Sequence, residues 1–202
     1  MSRYMLLSLS RKFIFIANLK SASSAIERSL GPYAEFRITQ TKFGKHDDLS
    51  TIGKKFRWAK KYVPFDQFFV FGVMRDPVDF IVSLYNFHTA SGFDGKPHST
   101  RDLSFDDFWS VWCKKSWQAR PQRLRFTDAR GLLGVNHVID FAQLASEFPR
   151  VCDHLGLQAT LPTVNVSPAV LSRADLNEDQ IDRIKTHYAD DYAFFARRPR
   201  AL

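Results

Sequence analysis

The feature that most constrains the fold is a pair of short apolar runs, each followed by a polar turn and a helical pattern. Phe13–Ile16 consists of aromatic and β-branched residues, which is typical of a fully buried strand. A second such run covers residues 68–73. The first turn leads into a helical stretch that ends at Leu30, and the second into a helix with Pro77 in its first turn. The sequence therefore alternates strands with helices.

Later segments continue this alternation. Further helices are predicted at residues 49–62, 104–115, 141–155 and 177–195, with a further strand at His137–Asp140. Alternating strands and helices indicate an α/β domain with a central, mainly parallel sheet flanked by helices. The 202 residues fit a single domain over residues 1–202. Ligands of such sheets bind beyond the carboxyl ends of the strands, and both polar turns fall there.

The charge of the chain predicts an anionic partner. Lys and Arg number 29 against 21 Asp and Glu, a formal net charge of +8, which attracts nucleic acid, an anionic surface, or a phosphorylated or sulfated ligand. The predicted helix at residues 49–62 mixes basic with aromatic residues, as strand-binding surfaces can. More often such a helix has one solvated basic face and one core face, so we expect no nucleic acid as partner. This helix, with Arg120, Arg123 and Arg125, could instead attract an acidic glycan.

Membrane and targeting signals are not expected. No run reaches the roughly 18 apolar residues of a transmembrane segment, and the apolar run at residues 4–7 is too short for a signal peptide. These patterns favour a cytoplasmic protein. Cys113 and Cys152 match no metal-ligand or redox spacing and are expected to be free thiols. The Arg-rich residues 197–200 are expected to form a solvated or disordered tail.

The first polar turn has the composition of an anion site. Lys20 supplies a positive charge, and Ser21, Ser23 and Ser24 supply hydroxyl donors. Backbone N–H groups and the helix dipole also favour an anion at a helix start. Because Lys20 precedes the small residues, the segment is not a Walker A loop, which argues against a kinase-like phosphoryl transferase. Serines at a helix start can also act as caps alone, so this turn by itself leaves both interpretations open.

The second polar turn offers a second anion ligand. Arg75 follows the end of the strand, where a guanidinium can hold a phosphate through two hydrogen bonds. Ser83 lies about two helical turns further along. Taken alone, Arg75 and Asp76 fit a structural ion pair equally well, and a Ser inside a helix carries little information.

Together the two segments resemble the sulfotransferase family, in particular the carbohydrate O-sulfotransferases and their bacterial relatives. In that family a strand leads into a lysine loop that binds the 5′-phosphosulfate of the donor, 3′-phosphoadenosine 5′-phosphosulfate (PAPS). A later strand leads into Arg-Asp-Pro and, at the spacing seen here, a Ser, which bind the 3′-phosphate. Residues 13–25 are similar to the first motif and residues 68–85 to the second.

The resemblance implies a P-loop nucleotide-kinase-like fold and a PAPS-dependent sulfotransferase that acts, without a metal, on an acceptor hydroxyl of a carbohydrate or glycan-like molecule. The residues it assigns to the donor are Lys20, Ser21, Ala22, Ser23, Ser24, Ala25, Arg75 and Ser83. Lys20 also counts as catalytic, because it would neutralise charge that develops on the departing oxygen. Ala22 and Ser23 replace the usual glycines, and Phe80 stands where many members carry Arg. These departures motivate an alternative, a nucleotide-binding module that has lost transfer activity.

A base is needed to deprotonate the acceptor hydroxyl, and a His near neutral pKa suits this task. Related enzymes often place a catalytic His upstream of the Arg-Asp-Pro strand, and His46 matches that position in order and approximate spacing. His88, on the helix that begins at Pro77, is the second candidate. Asp47, Asp48 and Glu27 are carboxylate alternatives, either as base or as groups that orient His46.

Tryptophans offer a candidate acceptor surface. Trp109, Trp112 and Trp117 could line a cleft, because aromatic rings stack well on sugars, although their spacing also fits a helix core. The core interpretation is favoured. Residues 87–103, rich in Gly, Pro, Ser and His, are predicted to form a loop that helps to build an acceptor pocket.

Overall fold

A computed structural model describes residues 5–38, 54, 57, 62–127, 134–162 and 170–202. The strands are β1 (Met5–Ser8), β2 (Phe13–Ile16), β3 (Phe36–Ile38), β4 (Phe69–Met74) and β5 (His137–Asp140). The α-helices are α1 (Ser23–Leu30), α2 (Pro77–His88), α3 (Phe105–Asp107), α4 (Leu144–His154), α5 (Glu178–His187) and α6 (Ala189–Ala196). A π-helix, whose turns are wider than those of an α-helix, covers Phe108–Cys113.

The sheet is mixed, with the strand order β3-β1-β2-β4-β5 in the described residues. β4 pairs in parallel with both β2 and β5, whereas β1 pairs antiparallel with both β2 and β3. The α/β prediction is confirmed, but the expectation of a mainly parallel sheet is wrong. Only residues 9–12 separate β1 from β2, and a parallel pair needs a crossover of about a dozen residues or more. A hairpin is therefore the pairing that this turn permits.

The chain divides into two compact units. The first comprises Met1–Met74, Gln122–Val164 and Arg197–Leu202, and it contains the whole sheet. The second comprises Arg75–Pro121 and Asn165–Ala196. A single domain over residues 1–202 stays a prediction.

Helices pack against the sheet of the first unit through an aromatic core. Phe15 and Phe71 face each other from β2 and β4 with ring centroids 5.3 Å apart. Ile26 from α1 and Phe148 from α4 belong to the same buried cluster. Burial of each such side chain contributes about 1.5–3 kcal/mol to the hydrophobic stabilisation of the fold, so β2 and β4 are fixed together at the centre of this unit.

Gly72 allows β4 to sit close to its neighbours. A Cβ at this position would lie 2.5 Å from Cε1 of Phe126 and 3.1 Å from the carbonyl oxygen of Ile16. Any larger residue would push against an aromatic ring that is itself fully buried. The glycine thus fits the carboxyl end of β4 tightly beside the carboxyl end of β2.

The C-terminal residues do not form the solvated tail expected from their charge. Arg200 forms an antiparallel bridge with His137, and the N–H of Val138 donates to the carbonyl of Pro199 at 2.9 Å. The buried Arg198 side chain lies 3.4 Å from the carboxylate of Asp140. Backbone pairing along the edge strand β5 overrides the solvation of the charged side chains.

The helices of the second unit follow the predicted pattern with local differences. The helix expected at 104–115 begins as α3 and continues as the π-helix. The helix expected at 177–195 is divided into α5 and α6 at Tyr188, whose buried hydroxyl donates to the carbonyl of Ala119. In the first unit, the helix expected at 141–155 begins with a 3-10 turn before α4. The helix predicted at 49–62 lies mostly outside the described residues.

Candidate functional site

The turn between β2 and α1 adopts an unusual backbone conformation. Lys20 and Ala22 both have φ of 54°, in the left-handed region that side chains other than glycine rarely occupy. Ser23 then begins α1, and Ala22, at its N-cap, has no side chain that could cap the helix. Lys20, Ala22 and Ser24 are partly exposed, whereas the residues between them are buried. The turn therefore leaves one cation and residues at the start of a helix partly exposed.

Not every hydroxyl of this turn faces outward. Ser21 is 1% exposed, and its hydroxyl donates to the carbonyl of Leu19 at 3.0 Å. Ser23 and Ala25 are also buried. Two of the groups assigned to donor binding are thus engaged within the chain: the hydroxyl of Ser21, and the N–H of Ala25, which donates to the carbonyl of Ala22 at 2.9 Å. Ser24 is the partly exposed serine of the loop.

Sequence reasoning missed Asn18, which anchors the turn. Its amide nitrogen donates to the carbonyl of Val73 at 3.2 Å and to the side-chain oxygen of Gln122 at 3.0 Å. Its amide oxygen accepts from the N–H of Leu19 at 2.9 Å. Both side chains are buried, and such satisfied polar networks rigidify their surroundings. No local pattern marks this role, because Gln122 lies 104 residues away in the sequence.

The carboxyl ends of β2 and β4 lie at the same edge of the sheet. Ile16 of β2 is in register with Gly72 of β4 in a parallel pair. This edge is the place where ligands of α/β sheets bind, as the sequence predicted. The Lys20 turn follows β2 there, and the chain leaves β4 to enter the second unit at Arg75.

Arg75 precedes the helix α2 and is partly buried. Burial lowers the pKa of its guanidinium, whereas the negative charges of Asp79 and Asp76 raise it. A partly desolvated guanidinium binds an oxyanion more strongly than a fully hydrated one. Asp76 caps α2 by accepting from the N–H groups of Val78 and Asp79 at 2.9 Å and 3.3 Å.

Ser83 lies on the partly exposed side of α2. Asp79, Ser83 and Phe87 are partly exposed and follow one another at helical spacing, whereas Val82 and Leu84 are buried. Residues four apart share one face of a helix. The predicted 3′-phosphate residue Ser83 is therefore accessible, on the same face of the helix as Asp79.

Phe80, which departs from the family pattern, is part of the core. It is 1% exposed and meets Tyr188 edge to face with ring centroids 6.3 Å apart. The aromatic residue thus holds α2 in the second unit and does not face solvent. Its presence is explained by packing.

The candidate bases fall into two groups, those outside the described residues and those that are buried. His46, Asp47 and Asp48 lie outside the described residues. His88 is 1% exposed, its Nε2 lies 3.1 Å from the side-chain oxygen of Gln118, and aromatic rings surround it. Glu27 is buried in α1. The surroundings of His88 favour a structural role over proton transfer to a bound acceptor.

The tryptophans divide between core and surface. Trp112 is buried, its ring is tilted against that of Phe108 with centroids 5.2 Å apart, and its Nε1 donates to the carbonyl of His98. This confirms the core interpretation for Trp112. Trp109, which meets His187 edge to face at 5.5 Å, and Trp117 are partly exposed.

The basic surface proposed for a glycan is only partly described. Arg120 is exposed and Arg123 is partly exposed, whereas Arg125 is buried. Most of the basic helix at residues 49–62 lies outside the described part of the chain. Arg120 is thus the most accessible of these three arginines.

Comparison with known proteins gave no family-model match, no curated relative and no similar solved structure. In the described ranges, no three or more His, Cys, Asp or Glu side chains are grouped so that they could hold a metal ion. The same residues include no helix with the length and apolar character needed to cross a membrane.

Proposed function

We propose that the protein is a PAPS-dependent sulfotransferase with a P-loop-like sulfotransferase fold. Lys20, the backbone N–H groups of the turn and Ser24 bind the 5′-phosphosulfate. Arg75 and Ser83 bind the 3′-phosphate, and His46 acts as base. The acceptor is a hydroxyl of a carbohydrate or glycan-like molecule, and the reaction uses no metal.

The observation that carries the proposal is the left-handed backbone at Lys20 and Ala22 directly before α1. Each non-glycine residue in this region costs about 1–2 kcal/mol, and such strain is concentrated at functional sites. Turns of this kind orient successive N–H groups toward an anion. A cation, a helix start and a strained turn at the carboxyl edge of the sheet together support phosphosulfate binding.

The chemistry assigned to these residues is a single displacement at sulfur. The acceptor oxygen attacks the sulfur atom as its proton passes to His46, and the bond between sulfur and the phosphate oxygen breaks. Lys20 stabilises the negative charge that develops on that phosphate oxygen. The products are the sulfate ester and adenosine 3′,5′-bisphosphate, so both the proton and the sulfuryl group are accounted for.

Binding of adenosine 3′,5′-bisphosphate, measured by isothermal titration calorimetry, tests the donor site. We expect Arg75→Ala and Lys20→Ala to weaken binding by about tenfold or more, because each removes a charge-assisted contact. Lys185→Ala, in the exposed part of α5, is the matched control and should bind like the wild type. A wild-type protein that does not bind the bisphosphate would overturn the proposal.

Transfer requires its own experiment. Wild-type protein is incubated with PAPS and a panel of neutral and acidic oligosaccharides, and bisphosphate release is followed by chromatography. His46→Ala should lower the turnover number by about 10²-fold or more while leaving bisphosphate affinity unchanged. An unchanged turnover number would place the base elsewhere.

A nucleotide-binding module without transfer activity is the alternative. The inward hydroxyl of Ser21 favours it, because the loop then offers one fewer outward donor to the sulfuryl group. Bisphosphate binding with no acceptor-stimulated release across the whole panel would support this alternative.

A further inference from the structure

A cluster of charged and polar groups surrounds Asp76, the residue that follows Arg75. The Nη1 of Arg173 donates to Oδ1 of Asp76 at 3.1 Å and to Oδ1 of Asp79 at 3.5 Å. The hydroxyl of Tyr192 donates to Oδ2 of Asp76 at 3.2 Å. One arginine therefore contacts both carboxylates that begin α2, and a tyrosine from α6 secures the first of them. All of these residues belong to the second unit.

These two carboxylates pose an electrostatic problem for an anion held by Arg75. Burial lowers the pKa of the Arg75 guanidinium overall, and the negative charges of Asp79 and Asp76 oppose this effect, so both carboxylates act on Arg75. The same two negative charges repel any phosphate that Arg75 binds, and Asp79 shares its face of α2 with Ser83. A bound 3′-phosphate would thus meet an attractive guanidinium next to two repulsive carboxylates.

Arg173 offsets this repulsion. Its guanidinium is 45% exposed, and the side chains of Asp76 and Asp79 are 31% and 38% exposed. An exposed pair of this kind contributes little to folding stability. It still changes the local potential over the distance of about 8 Å within which charges act at physiological salt. The position of Arg173 matters more for the charge beside Arg75 than for the stability of the fold.

Tyr192 fixes the geometry of the cluster. Burial raises the pKa of its hydroxyl, and the neighbouring Asp76 raises it further, so the hydroxyl remains a donor at neutral pH. With the cap hydrogen bonds to α2, Oδ1 and Oδ2 of Asp76 are both engaged. The carboxylate of Asp76 is thereby held in one orientation beside the start of α2.

We propose that Arg173 is a positioning residue that sets the affinity for the 3′-phosphate of the donor by neutralising Asp76 and Asp79 beside Arg75. This inference rests on the proposed function, since it concerns the same donor. It adds a residue 97 positions from Asp76 in the sequence, outside both donor motifs. Its consequence is a preference for ligands that carry a 3′-phosphate.

The test compares two ligands by calorimetry, adenosine 3′,5′-bisphosphate and adenosine 5′-monophosphate, which lacks the 3′-phosphate. Arg173→Ala should lower the affinity for the bisphosphate about three- to tenfold, because the negative charges of Asp76 and Asp79 near the anion are no longer neutralised. Monophosphate affinity should change less than about twofold. Arg173→Lys should restore most of the bisphosphate affinity, because it keeps the positive charge.

A second variant separates charge compensation from structure. Asp79→Asn in the Arg173→Ala background removes one uncovered carboxylate, so bisphosphate affinity should recover toward that of the wild type. A purely structural role would not be rescued by this change. The loss should also shrink when the salt concentration is raised to about 0.5 M.

The outcomes distinguish the two proposals. A wild-type protein that binds neither nucleotide overturns the proposed function. The role of Arg173 is overturned if the wild type binds the bisphosphate more tightly than the monophosphate while Arg173→Ala lowers the affinity for both nucleotides equally, or for neither. Selective weakening with rescue by Asp79→Asn supports it.

Discussion

At the scale of single residues, Ala22 places a methyl group in a backbone region where glycine is favoured. Its φ of 54° lies in the left-handed region, as does that of Lys20 two positions earlier. The hydrogen bonds of Asn18 to Val73 and Gln122 hold the start of this turn. The surrounding structure thus imposes a conformation that the residue itself disfavours.

We predict that Ala22→Gly is neutral or raises the free energy of unfolding by up to about 1 kcal/mol, because relief of strain competes with the greater freedom of the unfolded glycine. Ala25→Gly, inside α1, should lower it by about 1 kcal/mol. Chemical denaturation of both variants measures the difference. Equal losses in the two variants would contradict a strained Ala22.

Local sequence was enough to predict where some of the candidate residues lie. Lys20 and Ser24 are partly exposed in the turn that follows β2, and Pro77 stands in the first turn of its helix as expected. The inward orientation of the Ser21 hydroxyl could not be predicted, because it depends on backbone angles that the sequence does not show. Arg173 and Tyr192 were not associated with Asp76 because only the tertiary fold brings them together.

At the scale of elements, β2, β4 and β5 were predicted, whereas β1 and β3 were not. β2, β4 and β5 match their predicted places within about one residue. β1 consists of Met, Leu and Ser and lacks the β-branched and aromatic residues that mark β2, and β3 is three residues long. Such strands are stabilised by their partners across the sheet, which no local pattern reveals. Because β1 pairs antiparallel with β2 and β3, the sheet is mixed and not mainly parallel as predicted.

The edge strand β5 carries a buried His that links its stability to pH. His137 is 2% exposed, and its Nε2 lies 3.1 Å from the carboxylate of Glu147. Burial lowers the pKa of His137 below 6.5, and Arg150 and Arg198 add to this, although Glu147 opposes it. Its Nδ1 has no hydrogen-bond partner in the described part of the chain, so a second ring proton would lack an acceptor there.

We predict that acidification from about pH 7 to about pH 5 lowers the free energy of unfolding. His137 binds a proton more readily in the unfolded chain than in the folded one. The free energy of unfolding therefore decreases as the pH falls below the pKa that His137 has in the unfolded chain. The slope for one proton is at most about 1.4 kcal/mol per pH unit. Denaturation at several pH values should show a shallower loss in His137→Gln, and the exposed His98→Gln should follow the wild type. Identical slopes in all three proteins would contradict the assignment.

At the scale of the whole molecule, the excess of positive charge bears on the proposed binding of an anionic donor. The formal net charge of +8 generates a positive potential that adds to the local contribution of Lys20 and Arg75. Salt weakens this long-range part first, because the screening length falls from about 10 Å at 0.1 M to about 3 Å at 1 M. The dependence of affinity on salt therefore separates the general field from specific contacts.

Raising the sodium chloride concentration from about 50 mM to about 500 mM should lower the affinity for adenosine 3′,5′-bisphosphate about tenfold. Uncharged adenosine should bind equally well at both concentrations. Calorimetry at several concentrations gives the slope of log Kd against log salt. Arg75→Ala should lower the affinity for the bisphosphate at every salt concentration. It should also make the slope shallower, because one contact between a cation and the ligand is lost. A slope that is zero for the wild type would mean that neither the net charge nor the two cations act on the ligand. Donor recognition would then rest on the adenosine moiety, and the anion-binding roles assigned to Lys20 and Arg75 would be wrong.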